Sequence, residues 1–244
     1  MNRPAPRRAP NDLRQYDDLA GEWWDPAGAF SSLHWLARAR ARLIPPAPRP
    51  GARLLDVGCG GGLLAPHVHG YRHVGVDLSE PGLAIAAQHG VEGVHADVAA
   101  LPFEDASFDV VVAGEILEHV TDLEGTVAEA LRVLAPGGTF VCDTINATWF
   151  ARLALVTIGE RVRGGPPPAC HDPALFVPPE RLQELCAGHG VALEVHGLRP
   201  AALQLIAFQL RRRTDVEMVR TRSLAAVYQG SGVKVQARTR SSAA

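Results

Sequence analysis

The sequence predicts an α/β fold, a sandwich of helices around a mostly parallel sheet with an antiparallel strand at its C-terminal end. Three observations carry this expectation. From Arg53 onward short apolar runs alternate with helical patterns: RLLDVG, LLAPHVHG, HVGVDLS, GLAIAAQHG, VHADV, FDVVVAG, a helix near Leu123 to Leu134, and TFVCDT. Such alternation is the mark of parallel β/α units. The first strand runs directly into the glycine loop DVGCGGG, a device for bringing backbone close to a ligand. Near the end, VALEVHG and SLAAVYQG read as strands bracketing an arginine-rich helical segment, as a terminal antiparallel pair would.

The elements follow in order. Residues 1–10 form a Pro/Arg-rich leader expected to be disordered, residues 11–235 one domain, and residues 236–244 a small, polar, disordered tail. Within 11–50, Asn11 to Glu22 and Leu33 to Ile44 space apolar residues as helices do. Trp23 and Trp24 lie between them, placed either to staple the connector to the core or to lie over an aromatic ligand. IPPAPRPG then breaks the helix and leads into the sheet. Residues 146–178 are an insertion over the expected active site. It joins an apolar stretch containing Arg152, Arg161 and Arg163 to the run GGPPP, and reads either as a pocket cover or as a surface lying on a membrane. Pro179 to Gly188 is a further helix.

Composition excludes several classes. A chain of 244 residues with 47% apolar content suffices for one large core. Its net charge of −2 supplies no general attraction for nucleic acid. The cysteines, Cys59, Cys142, Cys170 and Cys186, are scattered without a CxxC pair, which points to a reducing, cytoplasmic setting. The N-terminal stretch lacks a secretory apolar core, and no run approaches the roughly 20 residues of a membrane span. Membrane contact, if made, is peripheral, at the inner face.

The ligand-binding constellation starts at Asp56, which ends the first strand, with Gly58, Cys59, Gly60 and Gly62 opening what is expected to be a helix whose amides face the ligand. Gly60, Gly62 and Ala65 also satisfy the dinucleotide spacing, so the loop alone indicates only an adenosine-containing ligand. Asp77, ending the next strand beside Leu78, suits the ribose hydroxyls of either cofactor type. Asp56 before the glycines opposes a pyrophosphate and favours a cationic tail. Asp97, after a third strand, can accept from an adenine amine while Val98 packs on the ring. LAPGG, Leu134 to Gly138, makes a helix end and tight turn before a fifth strand. In this order, the features resemble the class I S-adenosylmethionine-dependent methyltransferases, with their Rossmann-like αβα fold.

A narrower resemblance rests on residues outside the loop. YDDLAGEWWDPAGAFSSLH, EILEHV, TIN at Thr144 to Asn146 and HDPALFVPPERL are similar to the ubiquinone-biosynthesis O-methyltransferases, over about Tyr16 to Leu185. The resemblance implies S-adenosylmethionine as cofactor and an aromatic or quinol acceptor, a catechol, quinol or hydroxyquinone. It also implies Arg40 as a cofactor contact and Gly114 beside the methionyl tail, where the family usually has methionine. Glu115, Glu118 and His119 form ExxEH, a set that either binds Mg²⁺ or a similar ion, as in the resembled family, or only caps and hydrogen-bonds within the fold. Without a metal, His119 or His171 is the proton acceptor, so Glu118, His119 and His171 are the catalytic candidates. Asp172 beside His171 either joins the acceptor site or caps the following helix. After Leu185 the sequence departs from the family through AALQLIAFQLRRRTDVEMVRTR. This keeps a C-methyltransferase acting on a polyketide-derived aromatic open, as well as a noncatalytic cofactor-binding scaffold.

Overall fold

A computed structural model describes residues 9–235. The expected leader and tail fall outside the described residues except for Ala9 and Pro10. A short helix α1 (Arg14–Asp18), a 3₁₀ turn (Ala20–Glu22) and α2 (Ser31–Ala41) precede the sheet. The first expected helix is thus reduced to a few residues, because Asn11 takes a positive φ of 56° and the chain breaks again at Leu19.

The sheet opens with β1 (Ala52–Val57) and β2 (Tyr71–Asp77), followed by α3 (Glu80–Gln88) and β3 (Glu92–His95). β4 (Phe108–Gly114), α4 (Leu123–Val133) and β5 (Leu134–Ile145) complete its parallel part. Parallel pairing links β3, β2, β1, β4 and β5 in that order. β1 and β4 are the central strands. LLDV and VVVA are apolar on both faces because helices or connections cover both sides. Ser79 caps α3 by accepting from the Gly82 amide, and Asp122 caps α4 by accepting from the Gly125 amide.

The expected helix after the glycine loop does not form. Residues 61–64 are turns, and only Ala65–His67 makes a 3₁₀ turn before Val68 extends. Pro66 explains this, since in a helix begun at the glycines it would sit inside, lacking an amide and clashing with the preceding turn. The PGG turn lies within β5 rather than before it. The partner of Phe108 is Leu134 and that of Val110 is Thr139, so residues 135–138 bulge out of the ladder, with Gly137 at φ 81°.

Past β5, α5 (Trp149–Ala151) continues as a π-helical stretch (Arg152–Ile158) and a 3₁₀ turn (Gly159–Arg161). The chain then passes through the 3₁₀ turn Pro173–Leu175, α6 (Pro179–Gly188), β6 (Glu194–Pro200), α7 (Ala202–Gln209), β7 (Met218–Thr221) and β8 (Val227–Val233). β8 lies between β5 and β6, antiparallel to both, and β7 forms the edge beyond β6. The antiparallel portion therefore contains three strands, with β7 not expected from the sequence.

Candidate active site

In an open α/β sheet the winding reverses between two central strands, leaving a crevice at their C-terminal ends. Here the reversal falls between β1 and β4. A cavity of about 1070 Å³ opens there, reached by Asp56 from β1, Asp77 from β2 and Gly114 from β4.

One end has the character of a nucleoside cradle. Gly58, Cys59 and Gly60 line it together with Asp77, Leu78, Asp97 and Val98. Asp77 Oδ2 accepts from the Gly60 amide and Oδ1 from the Ser79 amide, both at 2.8 Å, so the carboxylate ties the loop to β2. Burial raises the Asp77 pKa, while the amides at Ser79 and Gly60 oppose that rise. Asp97 Oδ1 accepts from the Ala99 amide at 2.9 Å.

The glycines divide among different tasks. A Cβ on Gly60 would stand 2.4 Å from the ring of Trp23, and one on Gly61 equally close. Gly62 does not line the cavity. At φ 78° it lets the loop lie against Ala86 of α3, and it is a packing glycine rather than a ligand contact. Cys59 offers backbone to the cavity while its sulfur packs on Gly75, where a Cβ would lie 2.5 Å away.

Trp23 is 5% exposed and stacks on Phe30 at 4.0 Å, while the Trp24 indole donates to the Gly61 carbonyl at 2.9 Å and stacks on His89. The tryptophans are thus staples that hold the N-terminal segment against the glycine loop. Trp23→Ala is expected to cost about 3–5 kcal/mol of unfolding free energy, read by chemical denaturation.

At the middle of the cavity Arg40 and Asp143 form a buried bidentate pair, with Nε and Nη2 each donating at 2.8 Å. Burial alone would lower the Arg40 pKa, but the Asp143 carboxylate outweighs it and the guanidinium stays charged. Gln229 also donates to Asp143. Gly114 supplies the room, because a Cβ there would lie 1.9 Å from Arg40 Cζ. Asp56, 3% exposed, lies beside His73, with 3.5 Å between Oδ2 and Nε2.

The opposite end is bounded by Tyr16, His119, Cys170 and His171. His119 Nδ1 pairs with Asn11 Oδ1 at 2.7 Å, and Asn11 Nδ2 donates to the His119 carbonyl. Burial, then nearby His171, lowers the His119 pKa to about 3, so its imidazole is neutral. His171 Nδ1 lies 3.8 Å from Glu160 Oε1, and its ring stacks on His119 at 5.3 Å. Asp172 turns away, accepting from the Ala174 amide as the cap of Pro173–Leu175.

ExxEH does not gather as a ligand set. Glu115 lines the cavity at a positive φ of 54°, whereas Glu118, fully buried, lies behind the wall and accepts from the Thr144 hydroxyl at 2.7 Å. Burial raises both carboxyl pKa values, further for Glu115, which is also repelled by Glu118. Among the described residues, the potential ligand atoms that do converge belong to His119, Cys170 and His171. A hard ion held by Glu115, Glu118 and His119 does not fit this arrangement. Sequence reasoning also missed Asn11, Tyr16, Asp143 and Cys170. Each is joined to the site by contacts more than a hundred positions away, which no local pattern displays.

S-adenosylmethionine fits the cradle. The loop presents bare backbone at Gly58 and Gly60, carboxylates stand at Asp77 and Asp97, and charged groups of both signs stand where the methionyl tail would reach. Residues 55–142 match the family described as a methyltransferase domain. A ubiquinone biosynthesis O-methyltransferase of Azoarcus sp. (strain BH72) is 35% identical over 227 residues, covering 88% of this chain and 97% of the relative. Another of that name from Caulobacter sp. (strain K31) is 35% identical over 232 residues, covering 86% and 91%. In fold, the chain is similar to an S-adenosylmethionine-dependent methyltransferase of Thermotoga maritima, a possible histamine N-methyltransferase, with a TM-score of 0.65, 19% identity and coverage of 91% and 97%. With that fold, that cradle and relatives matched over nearly their whole length, the chain is an S-adenosylmethionine-dependent methyltransferase and belongs to the ubiquinone biosynthesis O-methyltransferase family.

Proposed function

We propose that the enzyme methylates the hydroxyl oxygen of a phenolic or enolic small molecule, a catechol, quinol or hydroxyquinone. The observation that carries this reading is the continuity of one cavity from the nucleoside cradle, past Arg40, to a chamber walled by Leu198, Leu205 and Met218 and ended by two histidines. Bound S-adenosylmethionine supplies a methyl group on a positively charged sulfur. Asp77 accepts from the ribose hydroxyls, Asp97 from the adenine amine, with Val98 against the ring, and Arg40 meets the methionyl carboxylate. Leu78, half exposed, closes the nucleoside side. The apolar chamber holds the acceptor ring and excludes water, and the hydroxyl proton leaves at the His119–His171 end. Catalysis is chiefly positioning, with deprotonation of the attacking oxygen.

Incubation with labelled S-adenosylmethionine and a panel of catechols and hydroxyquinones tests the reading. O-methyl products by mass spectrometry and NMR are expected. Ring-methylated products would replace it with C-methylation, and tight cofactor binding without turnover on any acceptor would replace it with a noncatalytic scaffold. The chamber walls from β6, α7 and β7 belong to the segment where the sequence departs from the family, so the acceptor is expected to differ in shape from a ubiquinone precursor.

The 146–178 insertion serves two faces. Ala154, Leu155 and Ile158 line the cavity, which is the role of a cover. Trp149, 76% exposed, Phe150 and Leu153 face outward, and Leu203, 83% exposed, with Ile206 and Leu210 crowns neighbouring α7. Among the described residues no helix is long and apolar enough to cross a membrane. We assign this face to peripheral contact with the inner membrane surface, and the enzyme to the cytoplasm, where its four buried free cysteines stay reduced. Trp149→Ser and Leu203→Ser are each expected to reduce partitioning to anionic vesicles about tenfold in flotation assays, with unchanged turnover of a water-soluble acceptor.

A further inference from the structure

We propose that His119, Cys170 and His171 form a binding site for a zinc-class divalent ion, separate from the ExxEH carboxylates, with its fourth coordination position open to the cavity. The three donors lie within 4.8 Å of one another and are almost wholly buried. Tetrahedral zinc would draw each pair to about 3.3–3.8 Å, a closure of roughly an ångström.

The supporting residues prepare these side chains as ligands. Asn11 spends its amide hydrogens on the His119 carbonyl, so only its oxygen faces the ring, 2.7 Å from Nδ1. The ring proton is thereby placed on Nδ1 and the lone pair on Nε2, which points into the cluster. Glu160 acts likewise on His171. Its Oε2 accepts from the Ala169 amide, leaving Oε1 opposite Nδ1 at 3.8 Å. A carboxylate or amide oxygen behind each ligating imidazole is the usual outer layer of a zinc site. Tyr16 Oη, 3.2 Å from Cys170 Sγ and 3.4 Å from His119 Nε2, shows that an oxygen can stand at the point the donors face.

Electrostatics favours a cation there. Glu115, Glu118 and Glu160 surround Cys170, and each has an Oε1 that is buried without a hydrogen-bond partner. Two nitrogens and a sulfur select zinc or another borderline-soft ion over Mg²⁺. On binding, the ion replaces the Cys170 thiol proton, which passes to solvent, while both imidazoles ligate neutral. Because all three ligands line the cavity, the remaining position takes an oxygen donor. That this donor is the acceptor's phenolate rests on the proposed function, whereas the ion site itself does not.

The test is titration of the full chain with Co²⁺, read by absorption. One equivalent is expected to give a thiolate-to-cobalt charge-transfer band and strong tetrahedral d–d bands, displaced by Zn²⁺ and unaffected by excess Mg²⁺. Cys170→Ser should lose the charge-transfer band, Cys186→Ser should keep it, and Glu160→Gln should weaken Co²⁺ binding about 10–100-fold. Absence of the band from the unaltered chain, or its survival in Cys170→Ser, overturns the proposal. Neither readout involves methyl transfer. Failure of the catechol panel would therefore sink the O-methylation reading alone, and failure of the cobalt titration the ion site alone.

Discussion

Replacing Arg40 with methionine is expected to lower the unfolding free energy by about 3–5 kcal/mol and to abolish measurable S-adenosylhomocysteine binding. The Asp143 side chain is fully buried and the guanidinium 7% exposed, so removing either partner strands the other charge away from water. The Gln229 amide remains bonded to Asp143 but cannot neutralise it. Arg40→Met combined with Asp143→Leu should recover part of the lost stability, because no unpaired charge is then buried, while cofactor binding stays lost. Urea denaturation and calorimetry separate the two effects, and equal destabilisation by single and double variants would refute the ion-pair account. Gly114→Ala should show the same signature, since its methyl would occupy the space of Arg40 Cζ.

His171→Ala should reduce kcat by about 10²–10⁴-fold with S-adenosylhomocysteine affinity unchanged. His171 lies at the acceptor end, stacked on His119 and backed by Glu160, and touches none of the cradle residues Asp77, Asp97 or Gly58. An equal loss in cofactor affinity would show that the cavity wall, rather than the acceptor chemistry, had been damaged. Glu118→Gln, by contrast, replaces a carboxyl behind the wall and should leave kcat within a few fold if the Thr144 bond is kept.

The cofactor half of the site was legible because its residues come from strand ends. Asp56 and Asp77 close β1 and β2, and Asp97 follows β3, so the strand period points to each of them. The acceptor half was legible only in fragments. HD at 171–172 was visible as a pair, yet one residue faces the cavity and the other caps a turn, a division set by how the proline loop folds back. Arg40 was named by resemblance, but its partner is 103 positions away and carries no local signature. The glycine loop misled in one respect. Its spacing suggested a helix and a bare floor for the cofactor, whereas Pro66 stops the helix and Trp23 occupies the space beside Gly60 and Gly61.

That tryptophan has a kinetic consequence. The segment from Asn11 to Trp24 grips the loop at one end through its indoles and His119 at the other through Asn11, so the two ends of the reaction chamber share a single hinged cover. Lifting it opens both ends at once. Demethylated cofactor and methylated product then leave through one gate, and turnover is paced by the breathing of a strap rather than by the chemistry beneath it.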